Sequence, residues 1–146
     1  MILEGLINRG SVAVLEQVVG FTEARHHVLV DNISNFDTVG YKVKDLPQAE
    51  FVGALTKAID GRENAGAAAR LEMRPTRHLK WDQNGKLHVQ PVEIRENNIL
   101  FHDQNNRFVE KQMATMAKNA MLHNVAAELL KGQYNLLKMA ITERLQ

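Results

Sequence analysis

The sequence contains no cysteine, only three prolines, and few aromatic residues, which make up 5% of its 146 positions. Without cysteine there is no disulfide, no thiolate zinc site and no cysteine nucleophile. No apolar run approaches the roughly 20 residues that a membrane span requires. Residues 1–5 lack the basic region and long apolar core of a cleaved secretory signal, so none is expected. Eighteen basic and seventeen acidic side chains leave a net charge of +1, which predicts no general attraction to nucleic acid or anionic lipid.

Signatures of catalysis are also missing. There is no glycine-rich phosphate loop, no Gly-x-Ser-x-Gly elbow and no His-Glu-x-x-His pair. His26 and His27 are adjacent, so on a helix they point about 100° apart and cannot chelate one ion. The histidines of the middle segment, His78, His88 and His102, have no carboxylates at ligand spacing. We therefore expect no enzyme activity, no cofactor and no metal site.

Instead, the first third of the chain shows a helical repeat of apolar and small residues. The repeat runs through Val12, Leu15, Val19, Thr22, His26, Leu29 and Ile33. Its mean step of about 3.5 residues is typical of a coiled-coil seam and predicts a helix over residues 11–34. Several β-branched residues and the interior Gly20 lower its intrinsic propensity, so this helix requires packing partners.

The last third repeats the pattern over a longer stretch. Its main seam consists of Val109, Met113, Met116, Ala120, His123, Ala127, Leu130, Tyr134, Leu137 and Ile141. A second row consists of Leu122, Ala126, Leu129, Leu136 and Ala140. A single helix over residues 107–144 is predicted, about 57 Å long. It overshoots a compact domain, and an exposed apolar stripe of that length is typical of a partner surface.

These patterns predict a mainly α fold. The long N- and C-terminal helices pair as an antiparallel, coiled-coil-like hairpin, with a small irregular or β middle segment. The organisation expected is residues 1–45 for the first helix and its following turn, 46–104 for the middle, and 105–146 for the last helix. Within the middle, residues 51–59 suit two helical turns, 61–69 a loop and 79–89 a β-hairpin.

A cluster of turn-forming residues follows the first helix. Its members are Asn32, Ile33, Asn35, Thr38, Gly40 and Tyr41. Asparagine and threonine side chains bond local backbone groups, and glycine accepts positive φ, so the cluster predicts a helix stop and a tight turn. By turn chemistry alone, an ordinary helix cap and loop explains it equally well.

The same residues resemble the signature of bacterial flagellar axial proteins, Asn-Ile-Ala-Asn-x-x-Thr-Pro-Gly-Tyr, which also follows an N-terminal amphipathic helix. Ser34 replaces the alanine and Val39 replaces the proline. Residues 105–120 and the ending at 136–141 resemble the rod subset of that family. The chain is thus identified as similar to the bacterial flagellar basal-body rod proteins, most like a proximal-rod subunit, with two close paralogues left open.

The resemblance implies a structural subunit that polymerises through its terminal helices into a torque-transmitting drive shaft. Implied partners are other copies and other rod proteins (FlgC-like and FlgF-like neighbours and a basal adaptor at the MS ring), together with the flagellar type III export apparatus. The implied location is the periplasmic rod, reached from the cytoplasm without a cleaved signal. Residues expected to pack between helices or subunits are Leu15, Val19, Leu29, Ile33, Met113, Met116, Ala120, Leu130, Leu137 and Ile141.

Two other classes of protein remain as alternatives. A soluble helical adaptor or chaperone that self-associates or binds a partner helix would share the amphipathic ends, but it has no need of the turn cluster. A helical-bundle enzyme would require facing Glu and His residues inside the bundle, which the seams do not supply.

Overall fold

The computed structural model describes residues 11–66, 69–83, 85–94 and 104–143. The predicted mainly helical fold is confirmed, with long terminal helices packed together and short strands between them. The elements in chain order are α1 (Ser11–Ser34), β1 (Lys44–Asp45), α2 (Gln48–Ala65), β2 (Leu79–Trp81), β3 (Leu87–Val89), β4 (Val92–Glu93) and α3 (Gln104–Glu143).

Helices α1 and α3 run antiparallel. Asn32, near the end of α1, contacts Gln112 near the start of α3, whereas Glu16, early in α1, contacts Tyr134 late in α3. At about 1.5 Å per residue, the 40 residues of α3 extend about 60 Å. The 24 residues of α1 extend about 36 Å. The shorter helix therefore leaves part of the longer one without a helical neighbour among the described residues.

The buried face of α1 departs from the predicted seam in its second half. Spacing assigned His26 and Ile33 to the seam, but His26 is exposed and Ile33 only half-buried. The buried positions are instead Arg25 and Asn32, each one residue earlier. Both polar side chains have hydrogen-bond partners, which is the condition under which such groups are buried without a large penalty.

A similar shift separates the buried positions of α3 from its predicted seam. Gln112, Asn119 and Ala126 are buried and recur every seven residues, whereas Met113, a predicted seam residue, is 51% exposed. The Asn119 side-chain amide donates a 2.8 Å hydrogen bond to the carbonyl of Thr22 on α1. Because polar and small side chains occupy the contact with α1, many of the larger apolar side chains of α3 face outward.

The main apolar core lies on another side of α1, beneath the middle segment. Its buried members are Phe21, Leu46, Phe51, Ala54 and Leu79. The rings of Phe21 on α1 and Phe51 on α2 stack with centroids 4.1 Å apart and planes inclined by 13°. Since α1 packs against both α3 and this core, it is the element that joins the two parts of the fold.

The strands of the middle segment form two small antiparallel sheets. The predicted hairpin is present as β2 and β3, with Leu79 opposite Val89, and β1 pairs with β4. The helix predicted over residues 51–59 is longer in the structure, where α2 runs from Gln48 to Ala65. The loop predicted from residue 61 therefore begins only at Gly66, whose φ is +94°.

Candidate assembly surface and signature turn

Asn32 joins the end of α1 to the start of the middle segment. Its side chain is fully buried. The amide nitrogen donates to the Lys44 carbonyl at 2.6 Å and to Gln112 Oε1 at 3.4 Å. The amide oxygen accepts from the Lys44 N–H at 3.1 Å and from the Tyr41 hydroxyl at 3.2 Å. All four hydrogen-bonding positions of the side chain are thus used, and they connect α1, the turn, β1 and α3.

The turn itself is built from local hydrogen bonds. The Asn35 side-chain amide caps α1 by donating to the Asp31 carbonyl at 2.9 Å. Further on, the Tyr41 N–H donates to the Thr38 carbonyl at 3.1 Å, which closes a four-residue turn. Gly40, third in that turn, has a φ of +80°. Positive φ at the third position alone defines a type II turn, the geometry that favours glycine at that place.

The departure from the flagellar signature at Val39 falls on the second position of this turn. Proline is common at that position of type II turns, because its ring fixes the φ value that the position requires. Val39 is fully exposed and its φ is not positive. The substitution of valine for the signature proline therefore leaves the turn geometry in place.

The environment of Tyr41 reflects its position against the buried Asn32. Partial burial, and secondarily the negative charge of Asp31, raise the pKa of the Tyr41 phenol above its ordinary value of 10.0. The phenol therefore stays protonated at neutral pH and keeps its donor role toward Asn32.

A bidentate ion pair makes a second connection between α1 and β1. Arg25 Nε and Nη2 donate to the two carboxylate oxygens of Asp45 at 2.7 and 2.6 Å. Asp45 also accepts the Leu46 N–H at 2.7 Å. Arg25 is buried, so loss of either partner would leave a poorly solvated charge. The pair fixes β1 against the middle of α1.

Polar contacts also occur inside the α1–α3 interface. His123, a member of the predicted seam, has its Nδ1 3.0 Å from the Thr22 hydroxyl, so this histidine is a hydrogen-bonded packing residue. Near the other end, the Tyr134 hydroxyl donates to the Glu16 carboxylate at 2.5 Å, and this bond raises the pKa of Tyr134. Polar groups at interhelical positions fix register at some expense of stability. These contacts match polar groups across the interface in the alignment that the structure shows.

One further charged cluster belongs to the middle segment. The Glu50 carboxylate accepts the His78 backbone N–H at 3.1 Å and lies 2.8 Å from His78 Nδ1. Hydrogen bonds from Thr76 and from His78 lower the pKa of Glu50 to about 2. This cluster ties the first turn of α2 to the hairpin. Among the described residues there is no group of three side chains able to hold a metal ion.

Large apolar residues remain exposed along α3 on both sides of its contact with α1, and together they form its outward apolar surface. Side chains between 41% and 71% exposed are Met113, Met121, Leu122, Val125, Leu129, Tyr134, Leu136, Met139 and Ile141. Exposed apolar residues grouped along one helix, unlike ones scattered singly over a surface, are typical of interaction sites. Within the described residues, no helix is both long and apolar enough to cross a membrane.

The residues predicted to pack between helices or subunits have different degrees of burial. Leu29 is buried, and Met113 and Ile141 are exposed. The half-buried members are Leu15, Val19, Ile33, Met116, Ala120, Leu130 and Leu137. Their role between subunits stays a prediction. Leu122, Leu129 and Leu136, which belong to the second apolar row of the sequence and not to the predicted packing set, are each about half exposed.

Comparison with known proteins identifies similar chains of almost the same length. The chain is 25% identical over 133 residues to the flagellar basal body rod protein FlgB of Aquifex aeolicus (strain VF5), covering 91% of this chain and 94% of that protein. Identity to FlgB of Bacillus subtilis (strain 168) is 23% with the same coverage. FlgB of Yersinia enterocolitica is 22% identical over 131 residues, with coverage of 85% and 88%. No family model and no solved structure matches the chain.

These relatives are flagellar basal-body rod proteins, the class that the sequence resembles through its signature turn and its terminal helices. The resemblance seen in the sequence is thereby confirmed. Within that class, the sequence left FlgB and its paralogue FlgC open. The three relatives, which span about nine-tenths of the chain, support the flagellar rod protein FlgB family.

Proposed function

We propose that this chain is a structural subunit of the bacterial flagellar basal-body rod, in its proximal part. Its terminal helices polymerise, and the resulting rod transmits torque as a drive shaft. The observation that carries the proposal is the outward apolar surface of α3, which remains exposed although α1 is already packed against the same helix. Proteins that function as monomers in solution rarely expose a contiguous apolar surface of this kind.

The turn and the middle segment have a supporting role in this proposal. The buried Asn32 and the Arg25–Asp45 pair connect the helix pair to β1. Forces on the middle segment would reach the helices through these bonds. We infer that the turn sets the angle at which the middle segment, residues 46–104, leaves the polymerised helices.

The proposed location is the periplasmic rod of the flagellar basal body. The chain is made in the cytoplasm and exported through the flagellar type III apparatus without a cleaved signal. Proposed partners are further copies of this chain, FlgC-like and FlgF-like rod proteins and the basal adaptor at the MS ring. The named relatives are rod proteins, and no catalytic role is proposed.

The decisive experiment is complementation of a strain that lacks the gene. Leu129→Asp places a carboxylate on the outward apolar surface of α3, where Leu129 is 55% exposed. The isolated subunit should keep its fold, because the new charge is solvated there. In the assembled rod the same charge would be buried without a partner, at a penalty of several kcal/mol. We expect loss of motility and of rods in isolated basal bodies.

A matched control is Asn135→Asp, which adds the same charge at an exposed polar position of α3. This variant should restore motility. If Leu129→Asp also supports normal rods and motility, the outward apolar surface of α3 does not assemble and the proposal is wrong. If deletion of the gene leaves flagella intact while the protein is found as a soluble complex with a partner helix, the adaptor alternative is correct.

A further inference from the structure

Two different apolar faces run along α3, on either side of its contact with α1. We call the first the leucine face and define it as Leu122, Val125, Leu129, Leu136 and Met139. We call the second the alanine face and define it as Met113, Ala120, Ala127 and Ile141; Tyr134, which bonds Glu16 of α1, lies at its edge toward α1. Members of the two faces lie two residues apart, as in Ala127 and Leu129. Two residues correspond to a rotation of about 200°, so the faces point in nearly opposite directions.

The two faces differ in shape in a complementary way. Every side chain of the leucine face is large and about half exposed. The alanine face has small side chains at Ala120 and Ala127 between larger, partly exposed ones. Rows of large side chains pack well into rows of small ones, because the knobs of one helix fill the holes of the other.

Charges at the edges of the faces are complementary as well. Glu128 borders the leucine face, three residues after Val125. Lys131 and Lys138 border the alanine face, four residues after Ala127 and three before Ile141. All three charged side chains are exposed. Ala126 and Leu130, on the side toward α1, are buried and half-buried, so all three charges lie on the edges away from α1.

From these observations we propose that the leucine face of one copy packs against the alanine face of a second copy of the same chain. The α3 helices then lie side by side and parallel, with Glu128 of one copy facing Lys131 or Lys138 of the next. This contact is heterologous, since two different faces meet, and each copy keeps one face of each kind free for a further neighbour. The inference rests on the proposed function and names the surfaces that carry it.

Cross-linking tests the pairing directly, because the chain has no cysteine of its own. Gly132 lies in line with the leucine face, and a Cβ there meets nothing within 4 Å, so Gly132→Cys adds a thiol without a clash. Ala127→Cys places a thiol on the alanine face. Cells lacking the chromosomal gene are given Gly132→Cys, Ala127→Cys or the double variant. Their basal bodies are treated with a thiol cross-linker that spans about two helical turns.

The double variant should give a ladder of dimers, trimers and larger multimers, because each copy then carries a thiol toward both neighbours. Each single variant should give no multimers. Dimers from Gly132→Cys alone would mean that leucine faces meet each other, and this result would overturn the proposal. Cross-links exclusively to other rod proteins would overturn the choice of a second copy as the occupant.

Charge reversal gives an independent test. Glu128→Lys should reduce motility, and the combination Lys131→Glu with Lys138→Glu should do the same. All three changes together should restore much of it. If the triple variant is as defective as the worse of the others, the edges do not face each other.

Failure of this inference can be separated from failure of the proposed function. Cysteine variants that restore motility and enter basal bodies, but whose double form gives no ladder, would refute the pairing of faces and leave the rod function in place. Absence of the wild-type protein from basal bodies would refute the rod function itself.

Discussion

Replacing Asn32 with alanine should separate the signature turn from the helix pair. The change removes four hydrogen bonds made by one fully buried side chain. It leaves Gln112, which is also buried, and the two backbone groups of Lys44 without these partners. At about 1 kcal/mol for each bond, and more where a buried group stays unsatisfied, the free energy of unfolding should fall by about 3–4 kcal/mol.

Urea denaturation of the purified subunit can measure this loss. Trp81 is the chain's one tryptophan, and its indole N–H donates to Gln17 on α1 at 2.7 Å. Its fluorescence therefore reports the packing of the hairpin against α1. With a slope of about 2 kcal/mol per molar urea, the midpoint should fall by about 1.5–2 M.

The control for this prediction is Asn35→Ala. Asn35 also caps α1 with its side-chain amide, but that bond to the Asp31 carbonyl is exposed to solvent. Loss of such a bond should reduce stability by about 0.5–1 kcal/mol. If Asn32→Ala is no more destabilising than Asn35→Ala, the four-bond network does not hold the junction, and our account of the turn is refuted.

Three further predictions concern the turn and the middle segment. Val39→Pro should stabilise the subunit by about 0.4–1 kcal/mol, because proline suits the second position of a type II turn and restricts the unfolded chain; a lower urea midpoint would contradict the turn type. The lowered pKa of Glu50, about 2 against an ordinary 4.5, makes its contribution to stability full above pH 4.5 and lost as the pH falls toward 2. The stability advantage of the wild type over Glu50→Gln should therefore shrink in acid, and an advantage independent of pH would show that the bonds to His78 do not shift this carboxyl. Phe51→Ala should lower stability by about 3–5 kcal/mol in the same urea assay, whereas the exposed Val52→Ala should change it by less than about 0.5 kcal/mol.

The position of the turn was readable from the sequence, but its hydrogen bonds were not. Asn32, Gly40 and Tyr41 were assigned to a helix stop and tight turn because each has a local preference that survives in any fold. The partners of Asn32 at Lys44 and Gln112 come from 12 and 80 residues away. No local pattern indicates such distant contacts, because they depend on how three elements are brought together.

In the middle segment too, locally encoded features were predictable from the sequence, whereas features that depend on packing were not. The β2–β3 hairpin was predicted from turn residues between two apolar stretches, which are local signals. The sequence pattern predicts a loop from Gly61, whereas α2 continues to Ala65 in the structure. In the structure that glycine is accommodated inside the helix, where packing of Phe51, Ala54 and Ala58 outweighs a local preference of about 1 kcal/mol.

The two long terminal helices follow from the residue pattern alone, since a repeat of three and four residues over such lengths fits only a helix. The turn after the first helix follows from it too, because glycine and asparagine preferences are local. Which face of each helix is buried depends instead on contacts between elements far apart in the chain. Helix α3 is apolar on several sides, so periodicity could not select one, and the choice was made by polar contacts of Gln112 and Asn119 with α1. Hydrogen bonds between distant residues thus leave the leucine face exposed, and we propose that the next subunit packs against that face.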